Sequence, residues 1–483
     1  MSIPAMRTPM FAVEIDGSRA VQTQGTLPYK VLIIGQRLAA GTIAEAIVQS
    51  VSSADEAATK FGEGSILHQQ AVKWFANKPA AELHMIALDD AAAAVAATGT
   101  IAFTGTATAD GTVYILINGV QVTASVTSGD AAAAVATAVA AAINAETTLP
   151  VTAAADSGTV TLTARNKGEC GNDIDFRLNY YSGQELPAGI TAVLTAMASG
   201  ATNPDVQDAI DVIGDTWYQL FSMPWTDATN MTAMESELDD RYGPIETNEG
   251  TCITAIRAAN FGAYSTYGNA RNSKHTVVMY NNGIPNSPWE RAAGLTAIIA
   301  DEASLDPARP FQTLEEKGIL PPADADIYTQ TQRNTLLYDG ISTFTVTDAG
   351  KVLIERVITT YQTNAAGAAD TAFLDMNTIL TLRYLRWSFR NTFLTKYPRA
   401  KLMNDTANIP TGQQVITPMI AKTEVISIFR GWETLGLVEA PDQFIDELTV
   451  TRSTTDPNRL EFYLSPDLVN QFRVGAALIQ YLL

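Results

Sequence analysis

The chain has 483 residues, of which 46% are hydrophobic and 17% are charged, and its formal net charge is −20. This length predicts two to four domains with a large buried core. The acidic balance argues against general nucleic-acid binding, which needs a broad basic surface. No stretch approaches the roughly 18 to 20 uninterrupted apolar residues of a membrane span, and no secretory signal is predicted. Cys170 and Cys252 are expected to be free thiols.

The first predicted element is a short strand near the N-terminus. Phe11, Val13 and Ile15 alternate with small or acidic residues, and a stretch of polar and small residues separates them from the next strand. A lone strand is not stable without a sheet to join. We therefore expect residues 1–25 to form an arm that exchanges its strand with another subunit.

A discontinuous α/β core is predicted over residues 26–90 and 201–339, because strand-like apolar runs alternate there with helical patterns. Residues 36–64 read as a polar connection. The predicted core elements, in chain order, are strand 31–35, helix 65–77, strand 83–88, a strand from Trp217, helix 229–242, strands 251–257 and 276–280, and helix 288–304.

Residues 91–200 differ in composition and predict an inserted, small β-rich domain. They are rich in Ala, Thr and Gly and hold 11 charged residues in 110. Asn118-Gly119, a pair that suits a type I′ turn, joins predicted strands 112–117 and 120–126. An Ala-rich helix follows, with Ser128 or Asp130 as candidate N-cap. Strands are then predicted over residues 151–155, 159–164 and 174–180.

Residues 340–458 predict a C-terminal α+β domain with strand 341–347, helix 368–397, helical region 418–436 and strand 447–452. Residues 459–483 follow as an apolar, strand-like segment. Leu460, Phe462 and Leu464 alternate on one face, and a second apolar run begins at Phe472. Unprotected strands pair readily with other chains. This segment is therefore either a central strand of its own domain or an exchange strand, with contacts at Phe472, Val474 and Leu478.

A local inversion of charge marks the long helix and its exit. Six basic residues and no carboxylate lie between Asp375 and Asp405, and helical periodicity puts the first three on one stripe. These arginines either pair with acidic residues of the same chain or form a basic face that docks on an acidic partner. The six residues are Arg383, Arg386, Arg390, Lys396, Arg399 and Lys401.

Candidate catalytic features are weak. The three histidines form no HExxH pattern and no pair at ligand spacing, so no metal site is predicted. The run Gly62–Ser65 lacks the remaining residues of a phosphate-binding loop and is better explained as a turn with Ser65 as helix N-cap. Asp89 and Asp90 are expected at a solvated boundary, and the acidic run at residues 235–240 on a solvated helix face. We expect no enzyme and no cofactor.

Three stretches carry a family resemblance. They are PYKVLIIGQRLAAGT with SADEAATKFGEGSILHQQAVKWFANKP near the N-terminus, TARNKGECGNDIDFRLNY at residues 163–180, and RLEFYLSPDLVNQFRVGAALIQYLL at residues 459–483. Together they resemble the contractile-tail sheath proteins of the phage Mu type, over nearly the whole chain.

The resemblance implies a structural subunit of the virion tail, assembled in the host cytoplasm. Such subunits polymerise helically around a tail tube, lend their terminal strands to neighbours, and contract to drive the tube through the host envelope. Implied partners are further copies of the chain and the tube, baseplate and tail terminator proteins. The family places the C-terminal domain innermost, which makes the basic helix a candidate tube contact and puts the insertion outside.

Three other functions remain open from the sequence. A sheath of a bacterial injection device, such as a pyocin or a type VI-like system, would share these motifs. The insertion could act as an adhesive or carbohydrate-binding module, although its aromatic residues are few. An α/β enzyme would place its site at Asp89, Asp90 and the loop near Gly62.

Overall fold

The computed structural model describes residues 27–77, 79–405 and 412–482. The predicted N-terminal exchange contacts Phe11, Val13 and Ile15 lie outside the described residues. The described chain divides into two compact units. Unit 1 is formed mainly by residues 384–469, and unit 2 by residues 28–383 together with residues 470–482.

Unit 2 combines a parallel core sheet with smaller antiparallel sheets. Its strands are β1 (Lys30–Gln36), β2 (Val48–Ser50), β3 (Glu82–Leu88), β4 (Thr98–Gly105), β5 (Gly111–Ile117), β6 (Val120–Val126), β7 (Val151–Asp156), β8 (Thr159–Ala164), β9 (Phe176–Leu178), β10 (Ile190–Ala198), β11 (Leu220–Ser222), β12 (Thr251–Ile256), β13 (Thr276–Tyr280), β14 (Thr343–Val346) and β15 (Val352–Arg356). Its helices are α1 (Ala54–Phe61), α2 (Ile66–Ala76), α3 (Ala132–Ala145), α4 (Gln207–Ile213), α5 (Ala228–Tyr242), α6 (Phe261–Asn269), α7 (Pro288–Leu305) and α8 (Gln330–Tyr338). A further helix, α9 (Met376–Lys396), contains the boundary between the units.

The core of unit 2 is a six-stranded sheet with strand order β13-β12-β11-β1-β3-β2. The first five of these strands are parallel, and β2 pairs antiparallel at the edge. Parallel strands buried on both faces read as continuous apolar runs, as β1 and β13 do. Helices α2 and α7 pack together beside this sheet. The α/β core predicted from the sequence is therefore present.

The insertion consists of two antiparallel sheets and α3. One sheet has the order β10-β4-β8-β7 and the other β6-β5-β9. The predicted hairpin is confirmed, since β5 and β6 pair around Asn118 and Gly119, whose φ angles are 49° and 79°. The predicted cap of α3 is wrong. Ala131 is its N-cap without a side-chain hydrogen bond, and the Asp130 carboxylate instead accepts from the Thr127 amide at 2.8 Å.

Helix α2 shows how local sequence chemistry sets an element. Ser65 has extended backbone angles, and its hydroxyl oxygen accepts a hydrogen bond from the amide of His68 at 3.1 Å. The Gly64 amide donates to Nδ1 of His68 at 3.1 Å. The predicted N-cap is confirmed, and the Gly62–Ser65 turn serves to start a helix.

Unit 1 is a smaller α+β unit that begins within α9. Its further elements are β16 (Lys401–Leu402), β17 (Val415–Ile416), α10 (Pro418–Thr434), β18 (Val438–Glu439), α11 (Pro441–Glu447), β19 (Thr449–Arg452), β20 (Leu460–Tyr463) and β21 (Asp467–Leu468). Aromatic rings form much of its core. Phe429 stacks on Phe444 with ring centroids 4.0 Å apart, and Phe462 lies 5.1 Å from Phe393. The indole N–H of Trp432 donates to the Ser388 hydroxyl at 2.8 Å.

Three predicted boundaries differ from the structure. The long helix begins at Met376, not near residue 368. The segment at 340–360 belongs to unit 2, because Ser342 and Thr359 form β-bridges to Met279 and Val277. The connection at 36–64 is not irregular throughout, since it contains β2 and α1.

Candidate functional site

The C-terminal segment, residues 470–482, carries the clearest surface signal. It has no regular secondary structure, and it exposes large apolar side chains to solvent. The exposed fractions are 80% for Phe472, 84% for Val474, 85% for Leu478, 86% for Ile479 and 79% for Tyr481. Contiguous apolar exposure of this kind is typical of a protein interaction surface.

The first part of the predicted exchange region behaves differently. Strand β20 pairs antiparallel with β19, and Asp467 and Leu468 pair with β18. Residues 460–468 therefore complete sheets within unit 1. This corrects the expectation that exchange begins at residue 459, and it restricts the candidate segment to residues 470–482.

The basic helix does not form the single exposed stripe that its periodicity predicts. Arg383 is 1% exposed and donates to the Gln219 carbonyl at 2.7 Å and to the Thr251 hydroxyl at 2.8 Å. Arg383 therefore joins α9 to the ends of two core strands, and it does not belong to the candidate tube-facing residues. Arg386 is half-buried, whereas Arg390 is exposed.

The remaining basic residues lie in unit 1 and are all exposed. The ammonium group of Lys396 lies 2.6 Å from the Glu424 carboxylate, and that of Lys401 donates to the side chain of Gln413 at 2.8 Å. Within the described part of the chain, no ion pair is found for Arg390 or Arg399. Among the described residues, the candidate surface thus holds two guanidinium groups without an ion pair, together with two lysines.

The carboxylates weighed as catalytic candidates have structural partners. Oδ1 of Asp89 lies 2.6 Å from Nε of Arg37. Asp90 accepts hydrogen bonds from the side chain of Asn166 at 3.1 Å and from the amide of Lys167 at 2.9 Å. Both carboxylates are half-buried, which corrects the expectation of a solvated boundary. Asp90 thereby connects the core to the insertion, whereas Asp89 pairs with Arg37 within the core.

The crevice that often binds ligands in α/β folds is filled here. It lies at the carboxyl ends of β1 and β11, where the strand order reverses. Gln36, which is fully buried, donates to Asp90 and to the Lys167 carbonyl at 2.7 Å each and accepts from the indole of Trp225 at 3.3 Å. Asn166 and Lys167, within the family-like stretch at residues 163–180, therefore close this crevice.

Other candidate groups are also engaged in packing. Glu235 of the acidic run is half-buried 3.3 Å from Arg271, and burial raises its pKa, whereas Asp239 and Asp240 are exposed as predicted. Cys170 and Cys252 are buried free thiols, as expected, and burial raises both pKa values.

Among the described residues, no cluster of three or more potential metal ligands occurs. None of the described helices has the length and apolarity needed to cross a membrane.

Comparison with known proteins identifies the class. Three family models match: the phage tail sheath protein beta-sandwich domain at residues 90–191, the phage tail sheath protein central domain at residues 199–360, and the phage tail sheath C-terminal domain at residues 368–481. These matches cover the insertion, most of the core and the C-terminal unit. They define a structural protein of a contractile tail.

A full-length relative makes the assignment specific. The chain is 38% identical over 479 residues to the Mu-like prophage FluMu tail sheath protein of Haemophilus influenzae, covering 99% of this chain and 98% of the relative. The chain belongs to the phage tail sheath protein family, which is a structural family, and the predicted resemblance is confirmed.

One solved structure shares the fold at low sequence identity. The helical sheath of the anti-feeding prophage in its contracted state matches with a TM-score of 0.50 and 9% identity, covering 99% of each chain. A sheath tail protein from Desulfitobacterium hafniense has a TM-score of 0.48 and 13% identity, covering 96% of this chain and 100% of its own.

Proposed function

We propose that this tail sheath protein polymerises helically around a tail tube and that neighbouring copies are linked by exchange of their C-terminal segments. The exposed apolar segment at residues 470–482 carries this proposal. Burying each large apolar side chain contributes about 1.5–3 kcal/mol, so leaving several in water is costly. A second copy of the chain with a free sheet edge would bury them and pair their backbone groups.

Exchange of an identical segment between copies suits an open polymer. The donor segment and the acceptor edge are different surfaces, so each copy can donate to one neighbour and accept from another. Heterologous contacts that do not close produce helical filaments. The predicted arm at residues 1–25 would supply a second link. Such links would keep subunits connected while they change their packing.

Contraction requires that the extended sheath be kinetically trapped above a lower-energy packing. A gain of a few kcal/mol per subunit, typical of coupling energies between sites, becomes large over a long polymer. We propose that this energy drives the tube through the host envelope. The tube, baseplate and tail terminator proteins are the proposed partners, and assembly takes place in the host cytoplasm.

Within this assembly we propose that the exposed basic residues of unit 1 face the tube. Arg390, Lys396, Arg399 and Lys401 contrast with a chain of net charge −20, so an acidic tube surface would attract this patch selectively. The insertion, with few charges, would lie outside. The 38% identity to a prophage sheath supports a phage tail over a bacterial injection device.

Negative-stain electron microscopy of the purified full chain tests the proposal. Hollow helical tubes are expected, and deletion of residues 471–483 should abolish them while leaving a folded protein by circular dichroism. Deletion of residues 1–16 should also prevent ordered tubes. Normal tubes from both deletions would refute strand exchange.

Point substitutions test whether assembly depends on the C-terminal segment itself or on exposed apolar side chains anywhere on the surface. A triple variant of Phe472, Val474 and Leu478 to serine should assemble as poorly as the deletion. Ile245→Ser is the matched control, because Ile245 is 86% exposed and lies outside the segment. Equal loss of assembly in both variants would argue for non-specific association.

A further inference from the structure

The C-terminal segment does not leave the protein surface freely, because its first residues are fixed to unit 2. The side-chain amide of Gln471 donates to the Ala308 carbonyl at 3.3 Å. Nη2 of Arg473 donates to Oδ1 of Asp375 at 2.9 Å and to Oε1 of Gln471 at 2.7 Å. The side chain of Arg473 is only 15% exposed, although its neighbours Phe472 and Val474 are almost fully exposed.

The Asp375 carboxylate accepts hydrogen bonds from two arginines, Arg356 and Arg473. Nε of Arg356 lies 3.1 Å from its Oδ1, and Nη2 of Arg356 lies 2.9 Å from its Oδ2. Arg473 donates to the same Oδ1 atom. Paired, forked contacts of this kind restrict orientation as well as adding attraction. One carboxylate therefore joins β15, the start of α9 and the base of the C-terminal segment.

The position of Asp375 in the fold makes it a rigid support. A β-bridge pairs it with Ile358, and α9 begins at the next residue, Met376. Arg356 is the last residue of β15. Asp375 and its partner Arg356 are thus set at the ends of regular elements of unit 2, which place side chains more accurately than loops do.

We propose that Asp375 is a positioning residue that clamps Arg473 and fixes the point at which the exchanged segment leaves its subunit. This inference rests on the strand exchange proposed above. With the base held, residues 474–482 are the part available to a neighbouring copy. At about 3.3 Å per extended residue, these nine residues reach roughly 30 Å from the clamp. The acceptor positions that pair with these nine residues must lie within that distance.

The clamp lowers the entropic cost of association. A segment whose base is already ordered samples fewer directions, so less conformational freedom is lost when it pairs. Its effective concentration at a geometrically matched acceptor is correspondingly higher. The same restraint would keep the link short when subunits move during contraction.

Arg473→Gln is the direct test, because it frees the segment and leaves the Arg356–Asp375 pair in place. Arg473→Lys keeps one charged contact, and Arg459→Gln is the control. Arg459 carries the same charge, but it is 62% exposed in its pair with Glu461. Spin labels on Ala476→Cys and Asp348→Cys report the position of the segment in unassembled full-length subunits. A narrow distance distribution is expected for the native chain and for Arg459→Gln, and a broad one for Arg473→Gln.

Assembly provides the functional readout in the same variants. The lowest concentration that yields tubes should rise about tenfold for Arg473→Gln, less for Arg473→Lys, and not for Arg459→Gln, with unchanged thermal midpoints. The clamp is refuted if Arg473→Gln keeps both the narrow distribution and the native assembly concentration while deletion of residues 471–483 abolishes assembly. If that deletion assembles normally, exchange of the C-terminal segment is refuted, and the clamp has no role in assembly.

Discussion

Arg291 and Glu316 form a fully buried, two-point salt bridge in unit 2. Nε and Nη2 of Arg291 each lie 2.7 Å from an oxygen of Glu316, and the two side chains are 0% and 1% exposed. Nη1 of Arg291 also donates to the Tyr280 carbonyl, and its guanidinium lies 4.1 Å above the ring of Phe344. The pair thus fixes the Pro-rich stretch 307–323 to α7, to the end of β13 and to β14.

Glu316→Gln should lower the free energy of unfolding of unit 2 by about 3–5 kcal/mol. Removing one partner of a buried pair leaves an uncompensated charge, here that of Arg291, in a low-dielectric interior. Urea denaturation monitored by tryptophan fluorescence provides the measurement. The neighbouring residue offers a matched control, since Glu315 pairs with Lys351 at 2.8 Å and their side chains are 37% and 55% exposed. Glu315→Gln should cost at most about 1 kcal/mol. Equal losses would contradict the assigned role of the buried pair.

The turn at Asn118-Gly119 also docks the insertion onto the core. The side-chain oxygen of Asn118 accepts from the amide of Ser287 at 2.8 Å, and its amide group donates to Gln69 at 3.2 Å. A Cβ atom on Gly119 would lie 2.5 Å from Nδ2 of Asn286, a fully buried side chain. Gly119 is therefore required both by its positive φ and by this close approach.

Gly119→Ala should destabilise the protein more than the same change in an open turn. Gly129 is the comparison, because its φ is +98° and no atom lies within 4 Å of its added Cβ. Gly129→Ala should cost about 1–2 kcal/mol from backbone strain alone. Gly119→Ala should cost roughly 1–3 kcal/mol more, from overpacking against Asn286. Thermal unfolding of both variants would show this difference, and matching midpoints would mean that Asn286 moves aside.

Apolar periodicity was sufficient to predict the elements that build the core. Strands β1, β3, β12 and β13 and helix α7 are close to their predicted bounds, because each carries a long, regular apolar pattern. Helix α1 was missed although a local signal exists. The Ser53 hydroxyl accepts from the Glu56 amide at 3.1 Å, and the Glu56 carboxylate accepts from the Ser52 amide at 2.8 Å. A serine followed three residues later by a glutamate is a helix-start pattern.

The candidate site was less predictable, because it depends on long-range packing. Periodicity places Arg383, Arg386 and Arg390 on one stripe of α9, yet it does not state which side packs against a sheet. The surroundings of α9 change along its length, since Arg383 binds groups in unit 2 and Ser388 binds Trp432 in unit 1. The contact between Asp375 and Arg473 joins residues 98 positions apart, for which no local pattern exists.

Asp173 predicts a pH dependence of stability. Its pKa is raised from 3.8 to about 7, mainly by burial; the charge of Arg257 opposes this rise, and the charge of Glu169 adds to it. A raised pKa in the folded state means that stability is greatest below pH 4 for this group and is lost as pH rises towards about 7. Asp173→Asn should therefore be at least about 1 kcal/mol more stable than the native chain at pH 8 and similar to it at pH 4.

The measurement is urea denaturation of native and variant chains between pH 4 and pH 8. Asp348→Asn serves as control, because Asp348 is an exposed carboxylate in a turn. A pH dependence that appears in both variants would not be specific to Asp173. A constant difference for Asp173→Asn would show that the pKa of this carboxyl group is the same in the folded and unfolded chains, which would contradict the raised pKa.

Charge reversal in unit 1 tests the proposed tube contact. Arg390→Glu combined with Arg399→Glu should weaken binding of the sheath to its tube by tenfold or more, because two guanidinium groups would be replaced by carboxylates at an acidic surface. Co-sedimentation with the purified tube at low salt measures the binding. Since exposed charges are screened over about 10 Å at 0.1 M salt, the difference between native and variant chains should shrink as salt is added.

The control for that experiment is Arg430→Glu. Arg430 is also exposed in unit 1, but it already pairs with Glu433 at 2.7 Å on α10. Reversing the charge of Arg430 changes the net charge in the same direction and leaves Arg390 and Arg399 unchanged. If Arg430→Glu weakens tube binding as much per charge as the double variant does, overall charge governs the attraction, and Arg390 and Arg399 make no specific contact with the tube. If only the double variant loses binding, and additional salt removes the difference, the tube lies against Arg390 and Arg399.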